Sequence, residues 1–209
     1  MSTLAARERA ALADLFDAVG PQQPTLCEGW DTGDLAAHLI VRESEVLGSL
    51  GTIVPFLEPY RAHRMARVLD RSSWTAVVDR FRHGTRLLRA VPGLDQQMNG
   101  LEFFVHHEDV RRAGDSPAAP RNLLVSDEVS IWRQIAFSAR IAVRELPQGV
   151  GLRIENVLDD EGPLNVRPGA RMVTLVGKPS EVALWLMGRR RVADVEVIGD
   201  ADVLRSISR

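Results

Sequence analysis

Three residues in two separate stretches of the sequence have the chemistry to bind a divalent metal ion. Glu102 and His106 are four residues apart in the stretch LEFFVHHEDVRRA, so a helix there presents both side chains on one face. His38 lies in the apolar stretch DLAAHLI. Two imidazoles and one carboxylate suit zinc or another first-row divalent ion, and three protein ligands leave coordination positions open. The sequence therefore predicts a metal site formed by His38, Glu102 and His106.

Each of these residues also has a simpler interpretation. Asn99 and Glu102 have the spacing of a capping box, in which the glutamate accepts a hydrogen bond from the backbone N–H of Asn99. His38 alone is typical of a hydrogen-bonded core histidine, and the adjacent histidines at 106–107 would suit a surface pair. The stretch HEDVR, which begins at His107, starts like the HExxH zinc motif, but Arg111 stands where the second histidine should be. This departure excludes the metalloprotease interpretation.

Nearby side chains are candidates for orienting these ligands. Asp34 lies one helical turn before His38, and Asp109 lies three residues after His106; a carboxylate at either position could accept the free ring N–H of a ligand histidine. Asp34 has an alternative role, since an acidic residue stabilises a helix N-terminus. Cys27 precedes the His38 stretch, and three interpretations of it are open. It is a candidate fourth ligand, a candidate redox-sensitive thiol, or a small buried apolar residue.

The elements that position the candidate site are predicted to be helices. Apolar residues recur at helical spacing in five stretches, which we place at 2–19, 34–50, 74–91, 100–113 and 127–146. Their expected caps are Ser2 or Thr3, Asp31 or Thr32, Ser72 or Ser73, Asn99, and Ser126. The stretch 52–70 contains two prolines and allows one short helix. Long helices with short connections are typical of an antiparallel four-helix bundle.

The pattern changes near residue 148. Three stretches rich in Val and Ile predict strands, GLRIENVL, ARMVTLVG and VEVIG, and between the last two lies a helix with Pro179 in its first turn. Asp200 is expected to cap a closing helix. The predicted fold class is therefore α+β, with a helical bundle over residues 1–147 and a small α+β domain over residues 148–209.

Composition limits the classes of partner. The chain has 209 residues and a net charge of -2, so it lacks the field that draws a protein to nucleic acid or to an anionic membrane, and we expect neither partner. A single cysteine excludes an intramolecular disulfide. With no signal-like or membrane-spanning run, the expectation is a cytoplasmic monomer or homodimer. The sequence contains no glycine-rich phosphate loop and no GxSxG motif.

Two stretches resemble the signatures of a known family. PTLCEGWDTGDLAAHLIVRE and LEFFVHHEDVRRA are similar to those of the mycothiol-dependent maleylpyruvate isomerase family, within the wider group of DinB-like metal-binding bundles. The tail VTLVGKPSEVALWLMGRRRVADVEVIGDADVLRSI resembles the small sterol-carrier-like α+β domain that follows the bundle in many members. The resemblance implies that His38, Glu102 and His106 hold a divalent metal, usually zinc.

The resemblance also implies a reaction. The metal binds a small thiol, mycothiol, and coordination deprotonates it. The thiolate then adds to an electrophilic small-molecule substrate, giving isomerisation or S-transfer. Arg189 is expected to bind a carboxylate of the thiol or the substrate, although the arginines at 189–191 also suit the negative end of a helix. LEFFVHHEDVRRA resembles a subgroup of metal-binding proteins without assigned substrates, so the alternative is a non-catalytic metal-binding protein or small-ligand-binding module.

Overall fold

A computed structural model describes residues 2–44, 58–85, 93–158 and 162–207. The chain divides into two compact units, residues 1–118 and 119–209. Helices make up the regular structure of the first unit, and the second unit combines helices with a four-stranded mixed sheet. The predicted α+β class is therefore confirmed. None of the helices in the described ranges combines the length and apolar character that a membrane-spanning segment needs.

The first unit contains five helices among its described residues. They are α1 (Leu4–Val19), α2 (Thr32–Ser44), α3 (Glu58–Asp70), α4 (Trp74–His83) and α5 (Leu94–Arg111). Thr3 caps α1 by accepting a hydrogen bond from the backbone of Ala6, and Ser73 caps α4 in the same way. Both caps agree with the sequence. The predicted ends of α2 at residue 50 and of the α4 stretch at residue 91 fall outside the described residues, and α4 itself ends earlier, where Gly84 has a φ of 59°.

Three phenylalanines hold α1, α4 and α5 together. Phe16, Phe81 and Phe103 are completely buried. Their rings meet edge to face, with centroids 5.7 Å apart for Phe16 and Phe81 and 5.4 Å apart for Phe81 and Phe103. Aromatic pairs in this arrangement add to the stabilisation that comes from apolar burial. Phe103 directly follows Glu102, so this core fixes the helix that carries two of the candidate ligands.

The start of α5 differs from the prediction. The helix begins at Leu94 after Gly93, not at Asn99. Asn99 is fully buried inside the helix, where its side-chain amide donates to Asp95 Oδ1 at 2.7 Å and to Glu43 Oε1 at 2.8 Å. The capping-box interpretation is therefore wrong, because Glu102 lies in the middle of a helix whose backbone N–H groups are already paired.

The second unit is built around a short sheet. Its helices are α6 (Val125–Ala142), α7 (Pro179–Leu186) and α8 (Ala201–Ile207), and its strands are β1 (Val150–Asn156), β2 (Leu164–Arg167), β3 (Arg171–Gly177) and β4 (Glu196–Ile198). The strand order is β2-β1-β3-β4. β1 and β3 are parallel, and the two outer pairs are antiparallel. α7 connects β3 to the final strand and packs on β3.

Two features of this unit differ from the sequence analysis. The edge strand β2 was not predicted, since its run LNVR alternates apolar and polar residues over only four positions and lies between Pro163 and Pro168. We also expected α6 in the bundle, with a boundary between residues 147 and 148, but the compact units divide between residues 118 and 119. Ile131, Ile135 and Ala139 form a buried stripe on α6, which packs against α7 and β2. Helical periodicity shows that a helix has a buried face, but not which unit covers it.

Gly151 in β1 provides a test of the sheet. A Cβ atom at this position would lie 2.6 Å from the backbone oxygen of Arg167 and 2.7 Å from the backbone nitrogen of Gly169, closer than real Cβ contacts. We expect Gly151→Ala to lower the free energy of unfolding by about 1–3 kcal/mol, measured by urea denaturation. Gly177→Ala is the control, because its Cβ would meet its nearest neighbour at 3.4 Å. Equal stability of the two variants would contradict the observed β1–β2 contact.

Candidate metal centre

Helices α2 and α5 carry the three candidate ligands. His38 is buried in the middle of α2, where Leu35, Ala36 and Leu39 on the same helix are completely buried in the core. Glu102 and His106 lie one turn apart on α5. Only 4% of the surface of His38 and 8% of the surface of His106 are exposed, so both imidazoles are largely shielded from water.

The donor atoms of the three residues converge. Glu102 Oε1 lies 3.3 Å from His106 Nε2 and 3.6 Å from His38 Nε2, and all three atoms lie within 4.8 Å of one another. A tetrahedral zinc ion with bonds of 2.0–2.2 Å places its ligand atoms about 3.3–3.6 Å apart. The carboxylate oxygen thus already stands at the right distance from both imidazoles, and the donor set fits a zinc-like ion.

Asp109 orients the ring of His106. Its Oδ2 lies 2.8 Å from His106 Nδ1, and its side chain is completely buried. The backbone oxygen of Asp109 accepts a hydrogen bond from the backbone of Leu26, which ties α5 to the loop before α2. A carboxylate on one ring nitrogen directs the other toward a metal. Asp109 therefore stands where the sequence analysis expected an orienting carboxylate.

Asp34 does not contact His38. Its Oδ2 accepts a hydrogen bond from the backbone N–H of Asp31, and Asp31 Oδ1 accepts one from the backbone N–H of Asp34. The two residues form a reciprocal cap at the start of α2, which is the alternative role that the sequence allowed. The side chain that contacts His38 from α3 is Arg61, whose Nη1 lies 3.4 Å from His38 Nδ1.

The site keeps Glu102 ionised. Burial alone would raise the pKa of Glu102, but hydrogen bonds with His106 and His38 and the charge of Arg42 hold it well below its usual range. Burial lowers the pKa of His38. Burial would lower the pKa of His106 too, yet its hydrogen bonds with Asp109, Cys27 and Glu102 raise it well above the ordinary value. A buried carboxylate that stays charged is a suitable partner for a cation.

Arg42 is a residue of the site that the sequence analysis missed. Its Nε lies 3.2 Å from Glu102 Oε1, its Nη1 donates to Asn99 Oδ1 at 2.6 Å, and its Nη2 donates to the backbone oxygen of Met98. The available signal was its position four residues after His38, which places both on one face of α2. Arg42 and Asn99 connect α2 to α5 beneath the candidate ligands.

Cys27 lies on the other side of His106. Its Sγ is 3.2 Å from Asp109 Oδ2 and 3.8 Å from His106 Nδ1, whereas the Nε2 atom of the same ring faces Glu102. The half-buried thiol is therefore not placed to be a fourth ligand of the set that contains His38. Together, Cys27, His106 and Asp109 form a second group of donor atoms within 4.8 Å of one another.

The remaining predicted residues lie elsewhere. His107 is buried and pairs with Glu8 at 2.7 Å, so a surface pair at 106–107 is wrong. Two further histidines of the first unit, His63 and His83, are exposed. Arg189 belongs to the second unit, where it follows α7 and its Nη1 donates to the backbone oxygen of Met187.

The first unit contains a cavity of about 390 Å³ whose lining includes two neighbours of His38 but none of the three candidate ligands. Its walls include Trp30, Arg61 and Met65. The ring of Trp30 lies 5.0 Å from that of His38, and the guanidinium of Arg61 lies 5.0 Å from the ring of Trp30. A cavity of this volume accommodates a small molecule.

Comparisons with known proteins identify a fold. No protein-family model matches the chain, and no curated protein sequence matches it. Among solved structures, a mycothiol-dependent maleylpyruvate isomerase matches over 94% of this chain and 95% of its own, with a TM-score of 0.50 and 14% sequence identity. The two chains share a fold. At this identity, the function of the present chain rests on its own residues.

Asp109 and Asp34 make a matched pair for testing which carboxylate supports the site. We expect Asp109→Asn to weaken zinc binding by about 10- to 100-fold, because the ring of His106 loses its orienting carboxylate. Asp34→Asn should leave zinc affinity unchanged, since Asp34 contacts the backbone of Asp31 and not His38. Competition with a chromophoric chelator measures both affinities. Equal losses in the two variants would contradict this assignment.

Proposed function

We propose that the chain is a divalent-metal-dependent enzyme that uses a small thiol, mycothiol or a close analogue, to isomerise or thiolate a small electrophilic substrate. The observation that carries the proposal is the convergence of the donor atoms of His38, Glu102 and His106, with Glu102 Oε1 at 3.3 Å and 3.6 Å from the two imidazole nitrogens. The shared fold with a mycothiol-dependent isomerase supports the choice of the thiol. The ligand set suits zinc, and other first-row divalent ions are accommodated by the same donors.

In this proposal a metal held by the three residues supplies a Lewis acid with open positions, which favours the thiolate form of a bound thiol. The residues of the chain do the rest. Asp109 holds the ring of His106 so that Nε2 faces Glu102. Arg42 holds the carboxylate of Glu102 through an ion pair. The burial of His38, against which the half-buried Trp30 packs, limits the access of water, which protects a reactive thiolate.

We also propose that Arg189 binds a carboxylate of the thiol or of the substrate. A guanidinium forms charge-assisted hydrogen bonds with a carboxylate. Losing one such contact costs about 1.5–3 kcal/mol, which corresponds to a rise in KM of about 10- to 150-fold for Arg189→Ala. Arg191→Ala is the control, because Arg191 is exposed on the same segment. Equal kinetics for the two variants would remove Arg189 from the proposal.

The test of the function begins with the zinc-loaded full-length protein. It is incubated with mycothiol and a panel of electrophiles that includes maleylpyruvate, and substrate loss is followed by chromatography with and without thiol. We expect turnover that requires thiol and that disappears in His38→Ala. Calorimetry measures thiol binding separately. Zinc binding without thiol binding or turnover would reject the enzyme and favour the alternative of a non-catalytic metal-binding or small-ligand-binding protein.

A further inference from the structure

The second group of donor atoms suggests a site beyond the one described above. We propose that Cys27, Asp109 and the Nδ1 atom of His106 form a binding site for thiophilic metal ions, and that this site and the His38 site are occupied in alternation. The proposal does not depend on the enzymatic function. It rests on the side-chain geometry around His106, where the two groups of donor atoms lie on opposite nitrogens of one imidazole.

The three donor atoms are spaced for one ion. Zinc with one sulfur and one nitrogen ligand places those two atoms about 3.5 Å apart. Cys27 Sγ lies 3.8 Å from His106 Nδ1 and 3.2 Å from Asp109 Oδ2, values on either side of that distance. The distance from Nδ1 to Asp109 Oδ2 is 2.8 Å and must open by about half an ångström. Small movements of side chains therefore suffice.

The chemistry of the group selects the ion. A thiolate is a soft ligand, and it favours Cd²⁺, Cu⁺ and Zn²⁺ over the hard ions that carboxylates and water prefer. Asp109 is completely buried and His106 nearly so, whereas Cys27 is half-buried and gives solvent ions a route to the group. When an ion binds, the thiol of Cys27 transfers its proton to solvent, and the sulfur forms the bond to the ion.

The shared imidazole explains the alternation. A neutral imidazole has one nitrogen with a lone pair and one nitrogen that carries a proton. When an ion binds Nε2, the proton stays on Nδ1, and this N–H donates a hydrogen bond to Asp109. When an ion binds Nδ1, the proton stays on Nε2, where Glu102 lies 3.3 Å away. Each site thus contains the carboxylate that stabilises the tautomer required by the other. Both ions together would require an imidazolate bridge between two cations.

Cadmium tests the proposal, because a thiolate–cadmium bond gives an ultraviolet charge-transfer band. Cys27 is the one cysteine of the sequence, so the band reports on this residue alone. The metal-free full-length protein is titrated with Cd²⁺. We expect the band in the wild type and in His38→Ala, and its complete loss in Cys27→Ser. Circular dichroism checks that both variants fold, and loading with Zn²⁺ beforehand should suppress the band in the wild type.

Three results would overturn the proposal. Absence of the band in both the folded wild type and folded His38→Ala would exclude coordination by Cys27. Loss of the band in folded His38→Ala would show that Cys27 joins the first set of ligands instead. A full band after zinc loading, with zinc retained, would show that the two sites are filled independently. The cadmium band reports on metal binding by Cys27 and does not require turnover. A protein without the proposed enzymatic activity would therefore still give the band, and the two proposals can fail separately.

Discussion

Replacing His38 with alanine is expected to reduce zinc affinity by about 100-fold. Structural zinc sites with four ligands bind with about 10–16 kcal/mol, or about 3 kcal/mol for each ligand. His38 contributes one of three converging donor atoms, and its Nε2 lies 3.6 Å from Glu102 Oε1. Loss of this ligand leaves Glu102 and His106, one turn apart on α5, as a two-ligand site. Competition with a chelator measures the affinity, and elemental analysis of protein purified without a histidine tag measures metal content.

His83→Ala is the control for this experiment. His83 is a histidine of the same unit with 62% of its side chain exposed, and it pairs with Asp79 on its own helix. Its removal should leave both zinc affinity and metal content unchanged. If His38→Ala binds zinc as tightly as His83→Ala does, the proposed centre is wrong, and His38 is a core histidine that packs against Trp30 and His106.

Replacing Arg112 with methionine is expected to lower the free energy of unfolding by about 3 kcal/mol. Arg112 follows α5 and is 1% exposed, and its Nε lies 2.5 Å from Glu108 Oε2, whose side chain is fully buried. Removing one partner of a buried ion pair leaves an uncompensated charge, which typically costs about 3–5 kcal/mol. We expect the lower end of this range, because Arg111 also contacts both carboxylate oxygens of Glu108. Urea denaturation measures the loss.

Arg111→Met is the matched control. Its guanidinium contacts the same carboxylate, but 22% of its side chain is exposed, so solvent can replace part of the interaction. We expect a loss of about 1 kcal/mol or less. A larger loss for Arg111 than for Arg112 would mean that burial does not set the cost of breaking this pair.

Much of the fold follows from local patterns. Periodicity and caps located the starts of α1, α2 and α4 to within a few residues, and Val- and Ile-rich runs located β1, β3 and β4. The start of α5 was predicted wrongly. Asparagine is a residue type that commonly caps helices, but the side-chain amide of Asn99 donates hydrogen bonds to Asp95 and Glu43 instead. Glu43 is distant from Asn99 in sequence, so no local pattern could reveal that contact.

The candidate site shows the same division. Helical spacing alone placed Glu102 and His106 on one face of a helix, and the pattern of residues around Asp109 made it a candidate orienting carboxylate. The sequence made both Asp34 and Asp109 candidates for this role, with a competing role at the helix N-terminus for Asp34. The structure separates them, since Asp34 pairs with its own helix start and Asp109 contacts His106.

The sequence by itself determined the helical spacing of Glu102 and His106, the ligand types and the α+β class, because these depend on residue chemistry and on the geometry of single elements. Only the tertiary structure decided that His38 Nε2 meets Glu102, that Arg42 lies against the same carboxylate, and that Cys27 faces the other nitrogen of His106. These contacts join residues far apart in the chain, and they depend on how helices pack and on which side chains burial forces together.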